Sequence, residues 1–211
     1  MRSIIITVFL FVATAVVAQE HPAKGDWDLG GYLSGGTSVE GGRRDTQVFS
    51  MRARIGKVLT AEHGRGFLRG NFEYAADLVP VYLVFQQTTV YGGGFDPLVL
   101  KWNFASKRRE APYFELGGGT LFSTHEVPPG TSAVNFRTHA SLGLHLLTKE
   151  SHRAFGPTVE IRYEHISNAG LAVPNPGINT IQFVIGVNHF SECPPATTCE
   201  YPPPRSSSTH R

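Results

Sequence analysis

The strongest constraint on this chain is a two-residue alternation that recurs, segment after segment, between residues 25 and 190. Side chains at i and i+2 share one face of a β-strand, so alternation over 10 or so residues specifies a strand with two chemically different faces. Eight such segments can be marked, and none carries a helical period. The second sets Phe49, Met51, Ala53, Ile55 and Leu59 against Ser50, Arg52, Arg54 and Gly56. The third sets Leu68, Gly70, Phe72, Tyr74 and Ala76 against Arg69, Asn71, Glu73 and Asp77. In the fourth, Leu98, Leu100, Trp102 and Phe104 oppose Lys101 and Asn103; in the sixth, Phe136, Thr138, Ala140, Leu142 and Leu144 oppose Asn135, Arg137, His139 and Ser141. The first (27–38) and fifth (113–122) are rich in Gly, whereas the seventh (157–168) and eighth (178–190) are clear.

A soluble sandwich also has strands that are apolar on one side. Three features favour a barrel in a membrane instead. The polar face is densely charged in successive strands, as in a narrow lumen filled by paired side chains. The even count suits up-and-down closure without a free edge. The last segment ends on an aromatic, Phe190. The expected fold is therefore all-β: an eight-stranded antiparallel up-and-down transmembrane β-barrel. Charged residues are only 17% of the chain, against a usual ~25%. With 11% aromatics and 23 Gly, this argues against a disordered chain, a coiled coil and a charge-rich helical bundle. A net charge of +2 gives no electrostatic reason to expect nucleic acid. A porin role is disfavoured, because side chains fill the interior of an eight-stranded barrel.

The flanks read differently. Arg2 precedes an apolar run, 4–18, that ends in Val16-Val17-Ala18 before Gln19. That is a basic start, a short apolar stretch and small residues at a cleavage position, so residues 1–18 are expected to be a signal peptide. The run is shorter than the ~20 residues a spanning helix requires. Residues 19–190 form the expected outer-membrane barrel, and 191–211 a disordered Pro/Ser/Thr-rich tail. A Cys193–Cys199 disulfide suits an oxidising compartment, while a lone Cys pair without two further ligands is a poor metal site. With the N-terminus in the periplasm, connections near 39–46, 79–92, 123–133 and 169–177 are expected outside. Those near 60–66, 105–111 and 148–156 become periplasmic turns.

Strand seven carries an anomaly. Val159, Ile161 and Tyr163 form its lipid-facing row, and His165 and Ser167 continue that row; Glu160, Arg162 and Glu164 point into the lumen. In strand eight Asn179 begins the row of Ile181, Phe183, Ile185 and Val187. Parity allows Asn179 to stand beside His165 and Ser167, although sequence does not set the register. Polar groups on a lipid face are costly, unless they sit at headgroup height.

The stretch 163–179, YEHISNAGLAVPNPGIN, resembles the signature of outer-membrane lipid A 3-O-deacylases and their acyloxyacyl-hydrolase-like relatives. GNFEYAADLVPVYLV (70–84), YGGGFDPLVLKWNF (91–104) and APYFELGGGTLFST (111–124) agree, so the resemblance covers most of 25–190. It implies an eight-stranded barrel that hydrolyses an ester-linked acyl chain of lipid A in the outer leaflet, with its site on the outside wall. It also implies Ser167 as nucleophile, His165 as base, and Asn168 with the backbone of Ala169 or Gly170 at the oxyanion. Neither a metal nor an organic cofactor is implied. The partners implied are lipopolysaccharide and outer-membrane lipids, and a homodimer is compatible with the pattern.

One position departs from that family, which places Glu where this chain has Asn179. An amide can orient an imidazole through its carbonyl but adds no negative charge. Three readings stay open here: Asn179 orients His165 as it stands, a carboxylate such as Glu126 substitutes, or the site is degenerate. The last would leave a non-enzymatic barrel that binds lipopolysaccharide or stabilises the membrane. His139 and His145 belong to the lumen face, where hydrogen bonding is the plain role. Arg43 and Arg44 fit either lipid A phosphates or an ordinary solvated loop, and the runs Gly92-Gly93-Gly94 and Gly117-Gly118-Gly119 serve turning and bending.

Overall fold

A computed structural model describes residues 22–106, 108–150 and 153–192. The expected signal segment 1–18, the expected tail from 193 onward and its Cys193–Cys199 pair lie outside the described residues. Nine strand segments follow one another: β1 (Trp27–Val39), β2 (Gln47–Val58), β3 (Gly70–Phe85), β4 (Thr89–Phe104), β5 (Glu110–Ser123), β6 (Val134–Leu146), β7 (Thr148–Glu150), β8 (Arg153–Ser167) and β9 (Ile178–Ser191). β1 to β6 pair antiparallel in succession, as do β7 with β8 and β8 with β9. β1 pairs with β9, β6 pairs with β8, and the sheet closes on itself. Because β7 continues the β6 side of the β8 pairing past Leu147, the result is a closed eight-stranded barrel.

The expected faces are observed. Met51, Ile55, Tyr74, Leu98, Leu142, Ile161, Phe183 and Ile185 lie exposed on the outer wall. Arg52, Arg54, Glu73, Asp77, Lys101, Glu115, Arg137, Glu160 and Arg162 are buried within. Charges removed from water must be paired, and here they are. Arg54 meets Asp77 at 2.8 Å and Glu115 at 2.5 Å, Arg162 meets Glu160 at 2.8 Å and Glu115 at 3.0 Å, and Lys101 meets Asp28 and Glu73 at 2.9 Å each. His139 bonds Glu115, and His145 bonds Thr158, so both histidines serve the interior.

The lumen is not charged throughout. At the loop end, Val48, Val84, Val90, Leu121, Ile166 and Ile178 belong to one buried apolar cluster; at the turn end, Ala111, Leu147, Ala154 and Phe190 form another. Phe190 thus faces inward, stacked edge-on to His145, rather than outward to lipid. An ionic middle lies between two apolar plugs.

Two connections are shorter than expected. The second outer loop is only 86–88, because β3 and β4 run through the stretch expected as 79–92. Proline lacks an N–H for the ladder, and both prolines sit where the register slips: Pro80 between Val79 and Tyr82, Pro97 between Phe95 and Leu98. A bulge also re-aims the side chains, so Val79 and Tyr82, three apart, both point inward. At the opposite end β8 starts at Arg153, inside the expected 148–156 turn.

Candidate active site

The β8–β9 hairpin is held by residues that alternate with the polar ones. Ile166, between His165 and Ser167, is paired with Ile178, beside Asn179, and both are fully buried in the apolar plug. Since neighbours on a strand point to opposite faces, anchoring these isoleucines inside obliges His165, Ser167 and Asn179 to stand on the outer wall. The register sets His165 directly opposite Asn179, with Thr138 of β6 on the other side. Ser167, two residues along the same face, is opposite Phe136. His165 and Ser167 are half-buried.

His165 Nδ1 and Asn179 Oδ1 are 2.6 Å apart. Asn179 Nδ2 donates in turn to the carbonyl of Glu40 at 3.2 Å. Asn179 is only 6% exposed although its parity points outward, because the loop between β1 and β2 folds over it. In that loop Arg43 N–H donates to Gly177 O at 2.9 Å. Gly41, at φ +94°, sits so close that a Cβ there would lie 2.7 Å from Asn179 Nδ2. Gly177, at φ +65°, has the same relation to the imidazole: its Cβ would stand 2.9 Å from His165 Cε1. Side chains at either place would be both strained and obstructed. In the sequence Glu40, Gly41 and Gly177 read only as turn residues; nothing in their spacing connects them with His165 and Asn179, which the fold brings to them.

The carboxylates considered as substitutes are engaged elsewhere. Glu126 accepts the N–H of Gly130 within its own loop at 2.8 Å. Glu164 lies in the lumen as its parity requires, accepting from Tyr82 at 2.5 Å and Gln182 at 3.0 Å. Asn168 is buried, and its side chain builds the turn. Its Oδ1 accepts from Gly170 N–H at 2.9 Å and its Nδ2 donates to Ala172 O at 3.1 Å, while its own N–H donates to Asn175 Oδ1 at 3.1 Å. Ala169 beside it holds φ +52°, unusual for a residue with a side chain. Leu171 and Val173, further along this loop, are strongly exposed. Arg44 pairs with Glu40 at 2.5 Å in solvent.

Chemically, an imidazole tied through Nδ1 leaves Nε2 for a proton, and a hydroxyl stands on the same face two residues along. The protein Lipid A deacylase PagL of Bordetella bronchiseptica (strain ATCC BAA-588 / NCTC 13252 / RB50) is 35% identical over 71 residues, which is 33% of this chain and 37% of that protein. The chain therefore matches well under two thirds of that relative's length. The crystal structure of the outer membrane enzyme PagL has the same fold, with a TM-score of 0.51 and 20% identity over 75% of this chain and 97% of that one. A family model described as Lipid A 3-O-deacylase (PagL) matches residues 23–188, nearly the whole barrel, and the chain belongs to that family.

Proposed function

We propose that this barrel is a serine-type lipid A deacylase that removes an ester-linked acyl chain, the 3-O chain, from lipopolysaccharide in the outer leaflet. The observation that carries the reading is the hydrogen-bonded His165–Asn179 pair beside Ser167, standing on the lipid-facing wall at the loop end of the barrel. An ester held in a membrane can reach a site there without leaving its leaflet, whereas the filled lumen offers no path to it.

The steps follow from the residues. Ser167 Oγ attacks the ester carbonyl while its proton passes to His165 Nε2. Asn179 Oδ1, by accepting from Nδ1–H, holds the ring in the required tautomer and steadies the imidazolium that forms. The oxyanion meets backbone N–H groups of the turn that Asn168 shapes, with Gly170 exchanging Asn168 Oδ1 for the new, charged acceptor. Collapse breaks the bond to the sugar oxygen, which takes the proton from Nε2 and leaves as the 3-hydroxyl. Water then attacks the acyl-Ser167, its proton going to Nε2, and the fatty acid departs as the serine is restored. Phe136, Tyr163, Ile161 and Ile181 supply exposed apolar wall for the acyl chain below the serine.

The test is to incubate the refolded barrel with lipopolysaccharide in detergent and read lipid A by mass spectrometry, beside a Ser167→Ala control. The expected result is loss of one hydroxyacyl chain with wild type and not with the variant. Intact lipid A from a well-folded wild type overturns the hydrolase reading and leaves a lipopolysaccharide-binding barrel.

A further inference from the structure

We propose that the first outer loop is a positioning device: the Glu40 carbonyl, by accepting a hydrogen bond from Asn179 Nδ2, turns the amide so that Oδ1 faces His165 and makes an amide, not a carboxylate, the fitting residue at position 179. The proposal deepens the hydrolase reading and rests on it for its catalytic consequence.

The argument is one of donors and acceptors. Asn179 has one donating and one accepting end, and histidine Nδ1 can play either role, so the pair alone leaves both amide orientations open. A backbone carbonyl can only accept. Its position 3.2 Å from one end of the amide makes that end the NH₂, and Oδ1 then faces His165 Nδ1 at 2.6 Å. An acceptor facing Nδ1 requires Nδ1 to carry the hydrogen, so Nε2 keeps its lone pair for the Ser167 proton. A backbone group in one loop thus selects the tautomer of a ring in another part of the barrel.

The loop is built for this contact. Gly41 passes so near Nδ2 that a methyl there would lie 2.7 Å from it, and Arg43 N–H holds the loop to Gly177 O at 2.9 Å. Gly177 in turn backs His165 Cε1. A carboxylate at 179, in the same volume, would set a second oxygen against the Glu40 carbonyl with no hydrogen between them, in a place that is 6% exposed. A buried charge facing an acceptor is disfavoured, which offsets what a negative charge adds to the imidazolium.

Two measurements test this. In the ¹⁵N-histidine-labelled wild-type barrel refolded in detergent, the NMR shifts of His165, assigned by its loss in His165→Gln, should report the Nδ1–H tautomer; an Nε2–H ring overturns the proposal. That readout needs no turnover, so an Nδ1–H ring in an inactive barrel supports the relay while counting against the hydrolase. In the kinetic arm, isosteric Asn179→Asp should lower kcat on lipopolysaccharide about tenfold or more with KM nearly unchanged, since the loss falls on orientation of the base. Gly41→Ala, checked for folding by the heat-dependent gel shift of closed barrels, should mix the tautomers and lower kcat in the same direction. Asn179→Asp turning over as fast as wild type or faster, or Gly41→Ala leaving tautomer and kcat untouched, overturns it.

Discussion

Two polar regions of this barrel are built from similar side chains and behave oppositely. In the lumen the charged side chains are spent on one another: Glu115 alone takes Arg54 at 2.5 Å, Arg162 at 3.0 Å and His139 at 3.1 Å. On the outer wall the polar groups form a line instead, Glu40 carbonyl to Asn179 to His165, and the line ends in a ring nitrogen on which Asn179 places no demand, on the face that Ser167 shares two residues along. A closed network stabilises because each buried charge has an opposite charge beside it. An open-ended one leaves a proton acceptor for chemistry, and its ordering has to come from outside, here from Ile166 and Ile178 in the apolar plug and from the glycines at 41 and 177.

The contrast can be broken from either side. Ser167→Ala removes the proposed nucleophile and should reduce deacylation by about 10³-fold or more while leaving the unfolding midpoint unchanged, because half-buried Ser167 lies on the wall rather than among the packed lumen groups. Mass spectrometry of lipid A and a urea titration check the two halves. Glu115→Gln should do the reverse. Taking one partner from a buried ionic cluster costs about 3–5 kcal/mol. The denaturation midpoint should fall accordingly, with turnover of the fraction that remains folded little changed. Gly177→Ala should fall between the two, since its methyl would push on His165 Cε1 and its φ of +65° disfavours a side chain. A loss of about 10–100-fold in kcat, with a smaller loss of stability of about 1 kcal/mol, is the expected pattern. Arg44→Ala should scarcely register. Its bond to Glu40 is solvent-exposed, such pairs contribute about 0–1 kcal/mol, and it is the Glu40 backbone, not the side chain, that holds Asn179. A large kcat loss in Arg44→Ala would mean that the carboxylate of Glu40 takes part after all.

The alternation in the sequence was enough for the strand faces, the closed eight-stranded barrel and the anomaly of His165 and Ser167 in a lipid-facing row, because a period of two is a local property of extended backbone. Parity also removed Glu164 from consideration, and the lumen confirms that position. Local pattern failed where the backbone departs from regularity. Pro80 fell in the stretch read as loop, but β3 absorbs it at a register shift, as β4 absorbs Pro97, so the second outer loop is three residues long. Phe190 read only as an aromatic ending the last strand, and its place in the lumen against Leu147 and Ala154 is a matter of packing. The partnership of His165 with Asn179 was permitted by parity and decided by register, which depends on how the two isoleucines pack. The hand that Glu40 lends to Asn179 spans 139 positions in the chain and left no trace in any motif. Which face a residue occupies is set by its neighbours one and two places away. Which way an amide turns is set by whatever acceptor the closed barrel carries to it, and only the tertiary structure contains that information.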